Sequence, residues 1–120
     1  NGIDYTFSSY SLAPGNYVVV ASNPAAFAMR YPAVPSDKVL GPYLGSLDNG
    51  GERIGLQDAV TQVIHDFRYN DSWQPITDGD GFSLTVKDTA NPDLALWDDS
   101  SGWDASSVRG GTPGEADTNY

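Results

Sequence analysis

The chain contains no cysteine, which excludes a disulfide framework, thiol catalysis and thiolate-bound zinc. Its single histidine, His65, excludes a metal site built from several imidazoles and leaves any Ser-His-Asp triad dependent on that one residue. Basic residues are scarce as well: six Lys and Arg stand against 16 Asp and Glu, giving a formal net charge of -10 and a pI near 4.1. A surface of that sign repels a phosphate backbone, so nucleic acid is a poor partner. No window holds roughly 18 consecutive apolar residues, and no charged, apolar, small-residue segment opens the chain, so the expectation is a soluble protein with no membrane span and no targeting segment. No nucleophile elbow occurs; the nearest string is Gly81-Phe-Ser-Leu-Thr85, so serine hydrolase chemistry has no support.

What is present reads as one domain, 1–120, of an all-β class. Thirteen Gly and eight Pro spread along 120 residues break the sequence into short runs bounded by turns. Ile3, Tyr5 and Phe7 alternate with polar residues and predict a strand, and the Val-rich run 16–22 after Pro14-Gly15 predicts one buried on both faces. Asn23 as cap, Pro24 at the first helical position and Pro32 as a stop predict one short helix over 24–31. Asn49-Gly50-Gly51 is a turn, and the strand after it places Ile54 and Leu56 on one face. Alternation predicts two further strands, over 63–69 and 81–87, the first with His65 on a sheet face. Beyond Asp88 the chain reads as loop with one short strand near Trp103.

Two residue types carry candidate chemistry. Fourteen of the acids are aspartate, and the stretch from Asp66 to Asp117 holds eleven acids against three bases. A short carboxylate suits turns, because it accepts from nearby backbone N–H groups. The same carboxylates suit calcium, a hard cation that takes oxygen ligands. On that reading Asp78 and Asp80, two apart in Asp78-Gly-Asp-Gly81, form a site with Asp98, Asp99 and Asp104. The EF-hand spacing is absent, since Thr89 stands at the twelfth position counted from Asp78. The aromatics are the second type. Trp73 and Trp97 stand in polar loops and are expected to be exposed, as a platform for a polysaccharide or a partner side chain. Asn70-Asp71-Ser72 is an N-glycosylation acceptor in a host that glycosylates. Aspartates are numerous enough to supply a glycosidase pair by chance, but no spacing singles one out.

The order of the motifs is itself informative. Leu12-Ala-Pro-Gly15 followed by Tyr17 to Ala21 and then Ala26-Phe27 resembles one stretch of the bacterial lamin tail domain. Leu40-Gly41, Gly45-Ser-Leu47, Asn49, Gly51-Glu52-Arg53-Ile54 and Leu56 with Asp58 resemble that family's glycine-rich turn and the strand after it. Phe67, Tyr69, Trp73 and Pro75 resemble its next strand and loop. Gly79 to Leu84, Trp103-Asp-Ala-Ser106 and Gly110-Gly-Thr-Pro-Gly114 resemble its C-terminal signature. The resemblance implies an immunoglobulin-like β-sandwich, a tryptophan at 103 packed under the final loop, no catalytic activity, no resident cofactor, and an extracellular or cell-surface setting.

Family members open with a strand pair that this sequence, starting at Asn1-Gly2, lacks. Processing or a different start to the sheets accounts for this. The alternative is a groove filled by a strand from a neighbouring chain, with Ile3, Tyr5 and Phe7 along the assembly edge. Two functions follow as expectations: an assembly or fibre subunit whose partner is protein, or an accessory polysaccharide- or surface-binding module of a secreted multidomain protein.

Overall fold

The computed structural model describes residues 2–91 and 93–117; Asn1, Pro92 and 118–120, the aromatic Tyr120 among them, lie outside the described residues. The chain is mostly short strand and loop with one α-helix. It divides into two compact units, one formed by Ile3–Ser46 with Thr112–Ala116 and the other by Leu47–Gly111, with Gly2 and Asp117 clustering with the second. Among the described residues no helix is long and apolar enough to cross a membrane.

In the first unit β1 (Gly2–Asp4) neighbours β4 (Leu44–Ser46), and β2 (Val19–Val20) neighbours β3 (Val39–Leu40). The run 16–22 therefore contributes only two strand residues. They pair in parallel, Val19 with Val39 and Val20 with Leu40, and both are half-buried rather than enclosed on two faces. The reason is a shortage of cover: β2 has one strand neighbour, and helix α1 (Pro24–Arg30) has no buried residue to lay over it. Helix α1 itself forms where local chemistry dictates. The Asn23 side chain accepts from the Ala26 N–H at 3.0 Å, and Pro24 starts the helix at no hydrogen-bonding cost. At its end Tyr31 packs on Phe27, ring centroids 4.8 Å apart, with the Arg30 guanidinium 4.8 Å above the Tyr31 ring. The first strand is shorter than the alternation predicts, because Tyr5 and Phe7 turn to each other in an edge-on contact at 5.0 Å beyond its end.

The second unit holds two antiparallel pairs. In the first, β5 (Arg53–Gln57) runs against β6 (Val63–Arg68) with Ile54 opposite Phe67 and Leu56 opposite His65. The turn before β5 needs a glycine at position 51, since its φ is 135° and a Cβ there would lie 2.4 Å from the Tyr69 carbonyl oxygen. In the second pair β7 (Leu84–Val86) runs against β8 (Trp103–Ala105), Val86 opposite Trp103. Ser106, 3% exposed, follows β8 and satisfies itself fully, its Oγ accepting from the Ser83 N–H at 3.0 Å and donating to the Val108 carbonyl at 2.8 Å.

Candidate functional site

Alternation along β5 and β6 sorts the hairpin into two faces. Ile54, Leu56, His65 and Phe67 share one; Arg53, Gly55, Asp66 and Arg68 share the other. The apolar face is covered by tryptophans from three separate segments. Phe67, 9% exposed, has its ring centroid 5.4 Å from that of Trp103, itself 7% exposed. Trp97 stands edge-on to both, at 5.3 Å from Phe67 and 5.7 Å from Trp103, and its ring stacks on His65 at 4.1 Å. Trp73 closes the far side, 6.1 Å from Trp103. A hydrogen bond of 2.8 Å from Trp103 Nε1 to the Trp97 carbonyl fixes the two indoles relative to each other.

The sequence placed Trp73 and Trp97 in exposed polar loops, and the structure corrects this. Each belongs to a 3-10 turn, Asp71–Trp73 and Leu94–Asp98, that folds its tryptophan back onto the cluster, and both side chains are half-buried. Close approach makes this folding-back feasible: the turn holding Trp97 crosses Gly102 so tightly that a Cβ there would be 2.0 Å from the Leu96 carbonyl oxygen. Trp103 is buried, with its ring contacts made to Phe67, Trp73 and Trp97. His65 lies on the sheet face as expected, and its stacking on Trp97 is the contact that sequence reasoning missed. The only signal was the apolar character of its neighbours on alternate positions.

The five aspartates of the calcium reading are engaged separately. Asp78 accepts from the Asn49 side-chain amide at 3.4 Å, Asp98 from the Arg68 N–H at 2.7 Å, Asp99 from the Ser101 N–H at 2.9 Å, and Asp104 from the Ala105 N–H at 2.9 Å. At Asp80 it is the backbone carbonyl that is engaged, by the Arg109 guanidinium, which also sits 5.0 Å above the Phe82 ring. A cation of the protein's own thus already lies beside the loop 78–81. Among the described residues no group of three or more His, Asp or Glu side chains is placed to hold a metal ion. The hydrogen bonds from Ser101 hold the Asp99 carboxyl below its ordinary value.

The polar face carries the strongest charge contact. Arg53 grips Asp66 with two donors, Nε at 2.5 Å from Oδ1 and a terminal nitrogen on Oδ2. The bond from Arg53 is the larger cause, and its charge an additional one, of the lowered pKa of Asp66. Below the hairpin Tyr69 donates to the Asp48 carbonyl, and burial, with the nearby Glu52 and Asp48 charges, raises its pKa. The Asn70 oxygen caps its own turn, accepting from the Ser72 N–H at 2.9 Å and the Ser72 hydroxyl at 2.6 Å. Of the assembly edge, Ile3 lies in β1, 38% exposed, whereas Tyr5 and Phe7 follow it. No family model matches the chain, and neither a curated protein nor a solved structure matches it.

Proposed function

We propose that the chain is a non-catalytic, lamin-tail-type immunoglobulin-like β-sandwich module of the extracellular or cell-surface environment, acting in assembly by accepting a strand from a neighbouring chain. The observation that carries this reading is the pairing of the strands: every sheet among the described residues is two-stranded. A two-stranded sheet has an edge on each strand, and edge strands are the ordinary substrate of strand addition. Apolar side chains on or beside these strands lie open as well, Leu44 at 70% and Val63 at 61% exposure. The use of Trp73 and Trp97 for internal packing gives the polysaccharide-binding alternative no added support. Light scattering across a concentration series tests the proposal. Mass that grows with concentration is the expected result, and a monomer at every concentration overturns it.

A further inference from the structure

The turn before β5 carries an Asn-Gly pair, Asn49-Gly50, and is tied down on both sides of it. The Asp48 N–H donates to the Glu52 carboxylate, and the Asp48 carbonyl accepts from the Tyr69 hydroxyl. The Gly50 N–H donates to the Asp48 carboxylate at 2.8 Å, and the Gly50 carbonyl accepts from the Asp71 N–H at 3.3 Å. The Asn49 side-chain amide donates to the Asp78 carboxylate at 3.4 Å. Asn49 and Gly50 are nonetheless both exposed to water.

An asparagine followed by glycine holds a nucleophile and an electrophile within one ring closure of each other. The backbone nitrogen of Gly50 can close a five-membered ring on Cγ of Asn49, and glycine has no Cβ to obstruct the approach. We infer that Asn49 is a self-modification site, held back by the folded turn and released when the turn opens. In the open turn the Gly50 nitrogen gives up its proton and bonds to Cγ of Asn49. The Cγ–Nδ2 bond breaks, and the side-chain nitrogen leaves as ammonia with that proton. Water then adds to either carbonyl of the cyclic imide, leaving aspartate or isoaspartate at position 49. One water is consumed and one ammonia released, with no oxidant and no enzyme. The inference stands apart from the assembly reading above.

Both reactants are occupied while the turn is closed. The bond to Asp48 fixes the plane of the Gly50 N–H, and the bond to Asp78 anchors the carboxamide that this nitrogen must approach. Ring closure requires both to be given up, so the reaction runs through the fraction of molecules in which the turn is open. The products do not rebuild it. Either one replaces the donor that faced Asp78 with a carboxylate, which sets two like charges where a hydrogen bond stood. Isoaspartate also inserts a backbone carbon ahead of Gly51, where the chain already runs so close to Tyr69 that a Cβ would lie 2.4 Å from its carbonyl oxygen. Conversion is therefore one-way, and the site records how long the turn has spent open.

The test incubates the whole chain near neutral pH, with and without guanidinium chloride, and follows the tryptic peptide 39–53 by chromatography and mass spectrometry. That peptide keeps Asn49 apart from the other Asn-Gly pair of the sequence, Asn1-Gly2. Aspartate and isoaspartate at 49 should accumulate about tenfold or more faster in guanidinium than in the folded chain. No conversion in guanidinium overturns the site, and equal rates overturn the restraint. Asp48→Ala, which frees the Gly50 N–H, should raise the folded rate toward the denatured one; an unchanged rate overturns the part given to the closed turn. Should that variant fail to fold, Asp78→Ala serves instead by freeing the carboxamide. Gly50→Ala, whose Cβ would meet only the Asp48 carboxylate, at 3.4 Å, should fold and slow conversion in guanidinium about tenfold, and an unslowed reaction overturns the ring closure. Asn49→Asp reproduces one product directly. It should melt below wild type at low salt, with the gap narrowing as salt is added, and an equal midpoint overturns the one-way step.

Discussion

If Trp97 is a packing element, its removal costs stability, whereas a ligand platform could be removed at little structural cost. Fully buried Trp→Ala changes cost about 3–5 kcal/mol. Trp97 is half-buried, so about half of that applies, and its stacking on His65 and edge contacts with Phe67 and Trp103 add about 0.5–1 kcal/mol in total. Trp97→Ala should therefore cost about 2–3 kcal/mol, which for a chain of this length lowers the melting midpoint by roughly 10 °C. Trp103→Ala, at a site only 7% exposed and with the bond to the Trp97 carbonyl lost, should cost about 4 kcal/mol. Trp73, equally half-buried but with one ring contact, should cost least, about 2 kcal/mol. Urea unfolding followed by far-ultraviolet circular dichroism measures all three without relying on the removed fluorophores. An order other than Trp103, Trp97, Trp73, or a Trp97→Ala variant as stable as wild type, would refute the reasoning and return Trp97 to the surface as a binding residue.

Gly102→Ala should destabilise by about 3 kcal/mol in the same assay, because the new Cβ would lie 2.0 Å from a backbone oxygen that cannot move aside; Gly55→Ala, with open space at its Cβ, is the control expected within about 0.5 kcal/mol of wild type. The lowered pKa of Asp66 means that its carboxylate stays charged in the folded chain while the unfolded chain already takes up protons. Its contribution is present above the ordinary value of 3.8 and disappears as the pH falls through the lowered one. Arg53→Gln should accordingly flatten the acid limb of stability against pH, most visibly at low salt, and an unchanged limb counts against the pair. Asp98, Asp99 and Asp104 each serve a backbone N–H, so EDTA should leave the melting midpoint where it is; a drop on chelation, reversed by calcium, would contradict this assignment of the carboxylates.

Elements specified by near neighbours were legible in the sequence, and those specified by distant ones were not. Helix α1 depends on Asn23, Pro24 and Tyr31, all within one short stretch, and its start and end fell within a residue of the expectation. The β5–β6 hairpin was readable for the same reason: a glycine turn, then alternation with a period of two. The parallel pairing of β2 with β3 joins residues 20 apart through nothing local, and a run of valines looks equally apolar whether one or two faces are covered. Trp73 and Trp97 failed more instructively. The polarity of their neighbours described the loops correctly, but that polarity was being used to bend the chain. Asn70, Asp93 and Asp99 each accept from the N–H two residues on, producing the 3-10 turns that swing the indoles inward.

The aspartates pose the same problem at the level of chemistry. A carboxylate that accepts from a backbone N–H and one that ligates calcium are identical in composition and in preference for glycine-bearing turns. Only the direction of each oxygen separates them, and that is set in three dimensions. At Asp98 the separation has a consequence beyond the turn itself. Its carboxylate accepts from the Arg68 N–H on the outer side of β6, thirty residues away in the chain, a contact no local pattern around Asp98 specifies.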